Sequence, residues 1–415
     1  MSRWLKYWFN IGSFFETIQP NVRVLRWCGL LPFSVSRTGG VPGAGSAHLK
    51  TVPRADVKFM DVTVFTLWQT FFLQMVYAGW PTVFFELPMS RIMTIITLVL
   101  YLLGGVNCSV SAVVVLLLRR KFIRMVQLVE KADETVVSVT LLAGSIFCQA
   151  LLLLSDSMIG RLMFDSPRTP QTSRMVHSVS YYYTIRTIHI TAVTIFITGL
   201  YGFRERLQAL NKELRVCFLE KRAPEQEPPQ AGELVNRIQG LIETYSLLCD
   251  ALRIFCTIFV WQPVMFCASL IVSAVFAVLA IGHILSNPAP IVLALTFAYS
   301  TLTALYASLF LLLVKFGSDL KKEGKQTAVL VHKAINQSSK TPAVAERLLL
   351  FSRHLHHQRP VVSCGLFCFD WTLALSIISA LATYSVILIQ FELGVPRFFI
   401  NAILQMYADI KAKNP

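Results

Sequence analysis

LFCFDWTLALSIISALATYSVILIQF, Leu366 to Phe391, is the last long apolar run of the chain. As an α-helix it reaches about 39 Å, enough to cross a bilayer core of about 30 Å. Its polar residues keep one spacing: Thr372, Ser376, Ser379, Thr383 and Gln390 stand 4, 3, 4 and 7 positions apart. At about 100° per residue they fall within about 60° of one another, on one stripe. Val386 and Ile387 interrupt it. A hydroxyl-and-amide stripe on a membrane helix either lines water or makes helix–helix contacts.

Composition sets the class. Hydrophobic residues make up 54% of the 415 and charged ones 15%, against about 25% charged in soluble domains. The apolar residues are gathered into long runs that a water-soluble core has no room for, so an all-α, multi-pass membrane protein in a lipid bilayer is expected. The net charge of +15 sits in particular loops. It points to membrane topology and not to a nucleic-acid partner. Met1 to Phe15 is basic and aromatic and lacks the apolar core of a secretory signal peptide, so the first membrane helix is expected to serve as the insertion signal.

Nine cysteines show no CxxC pair and no disulfide framework. Cys364 and Cys368, with His354, His356 and His357 nearby, match no recognised metal spacing. They read as a polar helix end with reduced thiols. No metal and no cofactor is expected. No nucleophile motif or phosphate loop is present, so no enzyme is expected either.

Seven spans are expected, at about 60–80, 92–118, 136–155, 181–202, 255–285, 290–314 and 366–391. Residues 1–59 form an N-terminal segment and 392–415 a tail. Ser34 to Ala47, rich in Gly and Ser, reads as a flexible loop. Thirty Lys and Arg fall on the side that holds the N-terminus and seven on the other. The positive-inside rule therefore places the N-terminus in the cytoplasm and the C-terminus outside. The two large internal segments, 203–254 and 315–365, do not read as loops. Leu207, Leu210, Leu214 and Phe218 keep helical spacing. So do the apolar residues of LVNRIQGLIETYSLLCDALRIF and AVAERLLLFSRHLHHQ. Membrane helices are expected to continue into a packed cytosolic bundle, broken by the acidic Pro-rich stretch near 224–229.

The C-terminal 50 residues or so resemble insect gustatory receptors. Thr383-Tyr384, five mostly apolar residues and Gln390-Phe391 match that family's TY-x5-QF signature, and His357, Gly365-Leu366-Phe367 and Asp370 fit the pattern upstream. ETYSLLCDALRIF and FETIQPNVRVLRWCGLLPF are similar to earlier family segments. The resemblance implies a ligand-gated, non-selective cation channel of four subunits, a homo- or heterotetramer with other gustatory receptors. It would sit in the plasma membrane of gustatory neurons and open on a small-molecule tastant. The seventh helices would surround the pore. Gln390 then offers amide oxygens to hydrated ions, and Val386, Ile387 or Phe391 forms a hydrophobic constriction. Thr383 and Ser379 would line the wall, with Tyr384 about 100° away packing on a neighbouring helix.

Ligand-site candidates are Arg186 and His189, ionisable residues inside a span, with Tyr183, Trp261 and Tyr299 as an aromatic cage. The alternatives are that Arg186 snorkels outward and that the aromatics form membrane-interface belts. Ser385 stands where sugar-sensing members often carry an acidic residue, which points toward bitter compounds. The rival classes are a secondary transporter and a metabotropic receptor. The chain shows no inverted repeat for the first, and the expected topology opposes the second.

Overall fold

A computed structural model describes residues 22–23, 25–38, 52–85, 91–132, 170–219, 231–286, 290–338 and 341–390. The third expected span, the Pro-rich stretch near 224–229, Phe391 and the tail lie outside them. Among the described residues the fold is all-α, apart from a two-stranded antiparallel sheet, whose first strand replaces the start of the expected loop at 34–47, and a short hairpin before the last helix. Strand β1 (Ser34–Thr38) pairs with β2 (Val52–Asp56), in register from Ser34 opposite Asp56 to Thr38 opposite Val52. The helices are α1 (Phe59–Phe85), α2 (Arg91–Leu117), α3 (Arg119–Ala132), α4 (Pro170–Phe218), α5 (Ala231–Phe259), α6 (Trp261–Ser286), α7 (Pro290–Gln337), α8 (Pro342–His357) and α9 (Trp371–Gln390). Three of them, α4, α7 and α8, open on a proline. That position suits proline, because its missing N–H has no helical partner there.

Among the described residues, four stretches are long and apolar enough to cross a membrane: Thr94–Leu117, Trp261–Gly282, Tyr299–Gln337 and Trp371–Gln390. The first and fourth expected spans fall on α1 and α4. The fifth, 255–285, straddles a turn at Val260 that separates α5 from α6. Pro263 explains the break. An unbroken helix would set its ring against the carbonyl of Phe259, whereas in the first turn of a new helix proline is tolerated.

The described parts of the two internal segments are helical and packed, apart from the linker at 358–365. α4 runs 49 residues and α7 runs 48 without interruption, each about 70 Å long. Leu207, Leu210 and Leu214 are buried, and Phe218 is partly buried. Polar residues join the two helices in their C-terminal halves. Asn211 donates from Nδ2 to Glu323 Oε2 (2.8 Å), Gln208 donates to Glu323 Oε1 (2.9 Å) and the Thr327 hydroxyl donates to Asn211 Oδ1 (2.7 Å). Arg204 pairs with Asp319 at 3.2 Å. α8 closes this layer over α5 and α7 with Val344, Leu348, Phe351 and Leu355, spaced 4, 3 and 4 apart as one helix face.

The basic run after α2 is the amphipathic helix α3. It buries Phe122, Met125, Val126 and Val129 and packs on α5. Arg26 to Gly29 lie against α1. Arg26 pairs with buried Asp61, and Trp68 Nε1 donates to the Trp27 carbonyl at 2.7 Å. Gly29 sits at φ +70, where a Cβ would also meet the Trp68 ring at 2.6 Å.

Candidate functional site: the terminal helix and a buried polar chamber

The base of α9 is built by a tight hairpin. Phe369 N donates to the Val362 carbonyl (3.0 Å) and Cys364 N to that of Phe367 (3.1 Å), with Gly365 at φ +86 between them. Positive φ favours glycine at that turn. Asp370 then caps α9. Its Oδ1 accepts from Thr372 N (3.1 Å) and from the Thr372 hydroxyl, and its Oδ2 accepts from Lys321 Nζ of α7 at 3.0 Å. The Thr372 hydrogen bond, then Lys321, hold the Asp370 carboxyl below the usual carboxylate range.

Two glycines of α7 let this linker approach. A Cβ on Gly317 would lie 2.1 Å from the Phe369 carbonyl oxygen, and one on Gly324 would lie 2.5 Å from the Pro360 ring. Gly317, Lys321 and Gly324 share one face of α7, and the linker to α9 rests on it.

α9 rests on the bundle by one face. Ala374 and Ile377 are buried, while Leu373, Leu381, Leu388 and Ile389 are partly buried. Only 11% of the helix is buried, against 56% of the apolar stretch of α6. Thr372, Ser376, Ser379, Thr383 and Gln390 are all exposed. At about 100° per residue, this stripe stands about half a turn away from Ala374, Ile377 and Leu381. Val386 and Ile387 are also exposed. Ser376 donates its hydroxyl to the Thr372 carbonyl (2.9 Å) and Thr383 to that of Ser379 (3.0 Å). Their protons thus point into the helix backbone, and their oxygen lone pairs are free to point outward. Tyr384, expected to pack on a neighbouring helix, is 58% exposed in the single chain. It borders one groove with Leu375, Ser376, Ser379, Ala380 and Thr383.

The second region lies between α2, α4, α6 and α7. Arg186 is only 4% exposed and His189 2%, so Arg186 is buried and does not snorkel outward. The His189 ring meets Phe266 edge-on at 5.8 Å and Tyr306 at 6.3 Å. Its Nε2 has no hydrogen-bond partner among the described residues. One level along, the Tyr299 ring meets Phe276 at 4.0 Å, tilted by 41°, and the Thr303 hydroxyl donates to the Ser273 carbonyl at 3.1 Å. Trp261 opens α6, next to buried Gln262 and five positions before Phe266, which puts it about 7 Å along the axis from the level of His189 and about 22 Å from that of Tyr299. Tyr183 lies on α4, with its side chain outside the described residues.

Sequence reasoning missed the polar residues that complete this interior. On α2, Thr94, Thr97, Asn107 and Ser111 are buried, and the Ser111 hydroxyl donates to Asn107 Oδ1 at 3.2 Å. On α6, Gln262, Ser269 and Ser273 are buried beside Phe266 and Phe276. The signal was there: residues 262, 266, 269, 273 and 276 keep the 4, 3, 4, 3 spacing of one helix face. Among the described residues, no group of three or more His, Cys, Asp or Glu could hold a metal.

Long apolar helices around a buried polar cluster, with α9 held by one face, define a multi-pass helical membrane protein. The chain belongs to the 7tm chemosensory receptor family, which matches it over residues 18–394. Among solved structures it is similar to the insect olfactory receptor OR5 from Machilis hrabei. The TM-score is 0.59 at 12% identity, over 90% of this chain and 97% of that one. At that identity the likeness is one of fold. No curated protein sequence matches the chain.

Proposed function

We propose that this chemosensory receptor is a gustatory receptor working as a ligand-gated, non-selective cation channel, with four copies surrounding a pore lined by α9. The observation that carries the reading is the placement of the polar stripe opposite the packing face of α9. Hydroxyls and an amide turned toward lipid gain nothing, because hydrocarbon offers them no partner. Turned toward a shared axis, they meet water and ions. The free lone pairs of Ser376 and Thr383 suit cations. Gln390 adds amide oxygens, and Val386 and Ile387, with Phe391, supply a constriction that closes by dewetting. Ser379 belongs to the same wall. The TY-x5-QF motif supports the gustatory assignment over the olfactory one. The thirty-to-seven charge asymmetry supports a cytoplasmic N-terminus, and the plasma membrane of gustatory neurons follows from the same reading.

The ligand chamber is proposed between α4, α6 and α7, around His189, Arg186 and Tyr299. It takes a small tastant with aromatic or apolar surface and at least one hydrogen-bonding group. Shifting the closed-to-open ratio from 1:99 to 99:1 takes about 5.5 kcal/mol, or about 1.4 kcal/mol for each of four pockets. The test is a ligand screen by calcium influx in cells expressing this chain, alone and with candidate gustatory partners, followed by patch recording. Agonist-evoked unitary currents are expected, with altered conductance or selectivity in Gln390→Ala. Saturable flux without unitary openings would assign a transporter, and a response that needs a G protein would assign a metabotropic receptor.

A further inference from the structure

A cavity of about 430 Å³ lies where the end of α5 meets the linker between α8 and α9. Its polar lining is Arg253 and Thr257 of α5 and Gln358, Arg359, Ser363 and Cys364 of the linker. No aspartate or glutamate lines it. Both arginines are exposed, and neither forms an ion pair with a described residue. The Thr257 hydroxyl donates to the Arg253 carbonyl at 2.8 Å and the Ser363 hydroxyl to the Phe367 carbonyl at 3.2 Å, so neither proton serves the cavity. Gln358 is pinned by its carbonyl, which accepts from the Tyr245 hydroxyl at 2.9 Å. Burial pushes the neighbouring Cys249 thiol up to about 12, so it stays neutral and does not oppose an anion. Two guanidinium groups without an ion pair to a described residue are the donors that recognise phosphate.

The level of the cavity narrows the ligand. Val260 lines it, one residue before the apolar stretch that opens at Trp261. Gly365 lines it too, on the hairpin that leads into α9 at Trp371. Two membrane helices thus begin at its walls, each with a tryptophan, the residue enriched at headgroup depth. Basic pockets at that level between membrane helices attract anionic headgroups.

We propose that this cavity binds a phosphomonoester-bearing anion, in the chemistry of an anionic lipid headgroup or of a soluble organic phosphate. The ligand bridges the end of α5 to the linker that carries α9. An effect on conduction rests on α9 lining the pore, whereas binding does not, so the two are tested apart. Purified full-length protein is titrated by microscale thermophoresis with three probes: dioctanoyl phosphatidylinositol 4,5-bisphosphate, soluble inositol 1,4,5-trisphosphate and inorganic phosphate. The lipid is expected to bind, and R253Q/R359Q to weaken it about thirtyfold, at about fivefold per basic residue. R237Q is expected to leave binding unchanged, since Arg237 pairs with Glu233 away from the cavity. R253K/R359K keeps both charges and is expected to fall between. If the soluble trisphosphate binds as tightly as the lipid and with the same arginine dependence, the site takes a soluble phosphate. If no probe binds, or if R253Q/R359Q retains wild-type affinity, the proposal is overturned.

Discussion

Alanine at position 317 and alanine at position 240 are the same chemical change with opposite expected signs. Gly317 faces the linker. Its added Cβ would lie 2.1 Å from the Phe369 carbonyl oxygen, and real Cβ contacts essentially never fall under 3.0 Å. Something must therefore retreat by about 0.9 Å. Phe369 has little freedom to do so, being 1% exposed, with its N–H bonded to Val362 at 3.0 Å. Moving it drags Asp370 away from Lys321 and loosens the cap of α9. Overpacking of this kind costs about 1–3 kcal/mol. Gly240 lies on the exposed side of α5, and its Cβ would meet nothing within 4 Å. There alanine removes backbone freedom from the unfolded chain and stabilises by about 0.4–1 kcal/mol. The assay is a thermal challenge of full-length protein in detergent, read by size-exclusion fluorescence. G317A should melt below wild type and G240A at or above it. A G317A protein that melts at or above wild type would refute the close packing of the linker on α7.

Asn211→Leu is expected to cost about 2–3 kcal/mol, because it strands hydrogen-bonding capacity of Glu323 and Thr327 in a buried layer. Thr327→Val should then cost less in that background than alone, as a double-mutant cycle in thermal challenge would show. For Asp370 the folded pKa is lowered, so its contribution is present above the unfolded value of about 4 and is lost as pH falls through the folded one. Asp370→Asn should therefore be less stable than wild type at pH 7, by no more than about 1 kcal/mol for so exposed a pair. The two proteins should converge in acid, and a gap that persists at low pH would show that another interaction carries it. His189→Phe keeps the ring contacts to Phe266 and Tyr306 and removes a ring nitrogen without a described partner. It should fold with unchanged or higher melting temperature and lose the agonist-evoked calcium response. A retained response would take His189 out of the ligand site.

What the sequence displayed was periodicity. The stripe on α9 and the face of Leu207, Leu210 and Leu214 were legible because helical spacing maps directly onto which side is buried. α3 was harder to see. Its three opening basic residues read as a stop after α2, although Phe122, Met125, Val126 and Val129 carry the spacing of a buried face. The turn at Val260 had its sign in Pro263, hidden inside an otherwise continuous apolar run. The chamber was legible only in part. Arg186 and His189 stand out as ionisable residues in a span, but which aromatics meet them depends on how α6 and α7 run past each other. Their antiparallel course sets Phe266 beside Tyr306 and Phe276 beside Tyr299. Neither the hairpin that launches α9 nor the glycines beneath it follow a periodic pattern, and no local spacing announces such a contact.

α7 is unbroken from Tyr299, beside the chamber, to Lys321, which holds Asp370 at the foot of α9. Those 22 residues form a rod about 33 Å long. A rod has mechanical advantage. A tilt of about 3° at the chamber end displaces the other end by about 1.7 Å, more than half the length of the Lys321–Asp370 bridge. Leverage of that kind needs no relay of side chains between the two places. Angle alone carries the message, and the stiffness of one helix sets its fidelity.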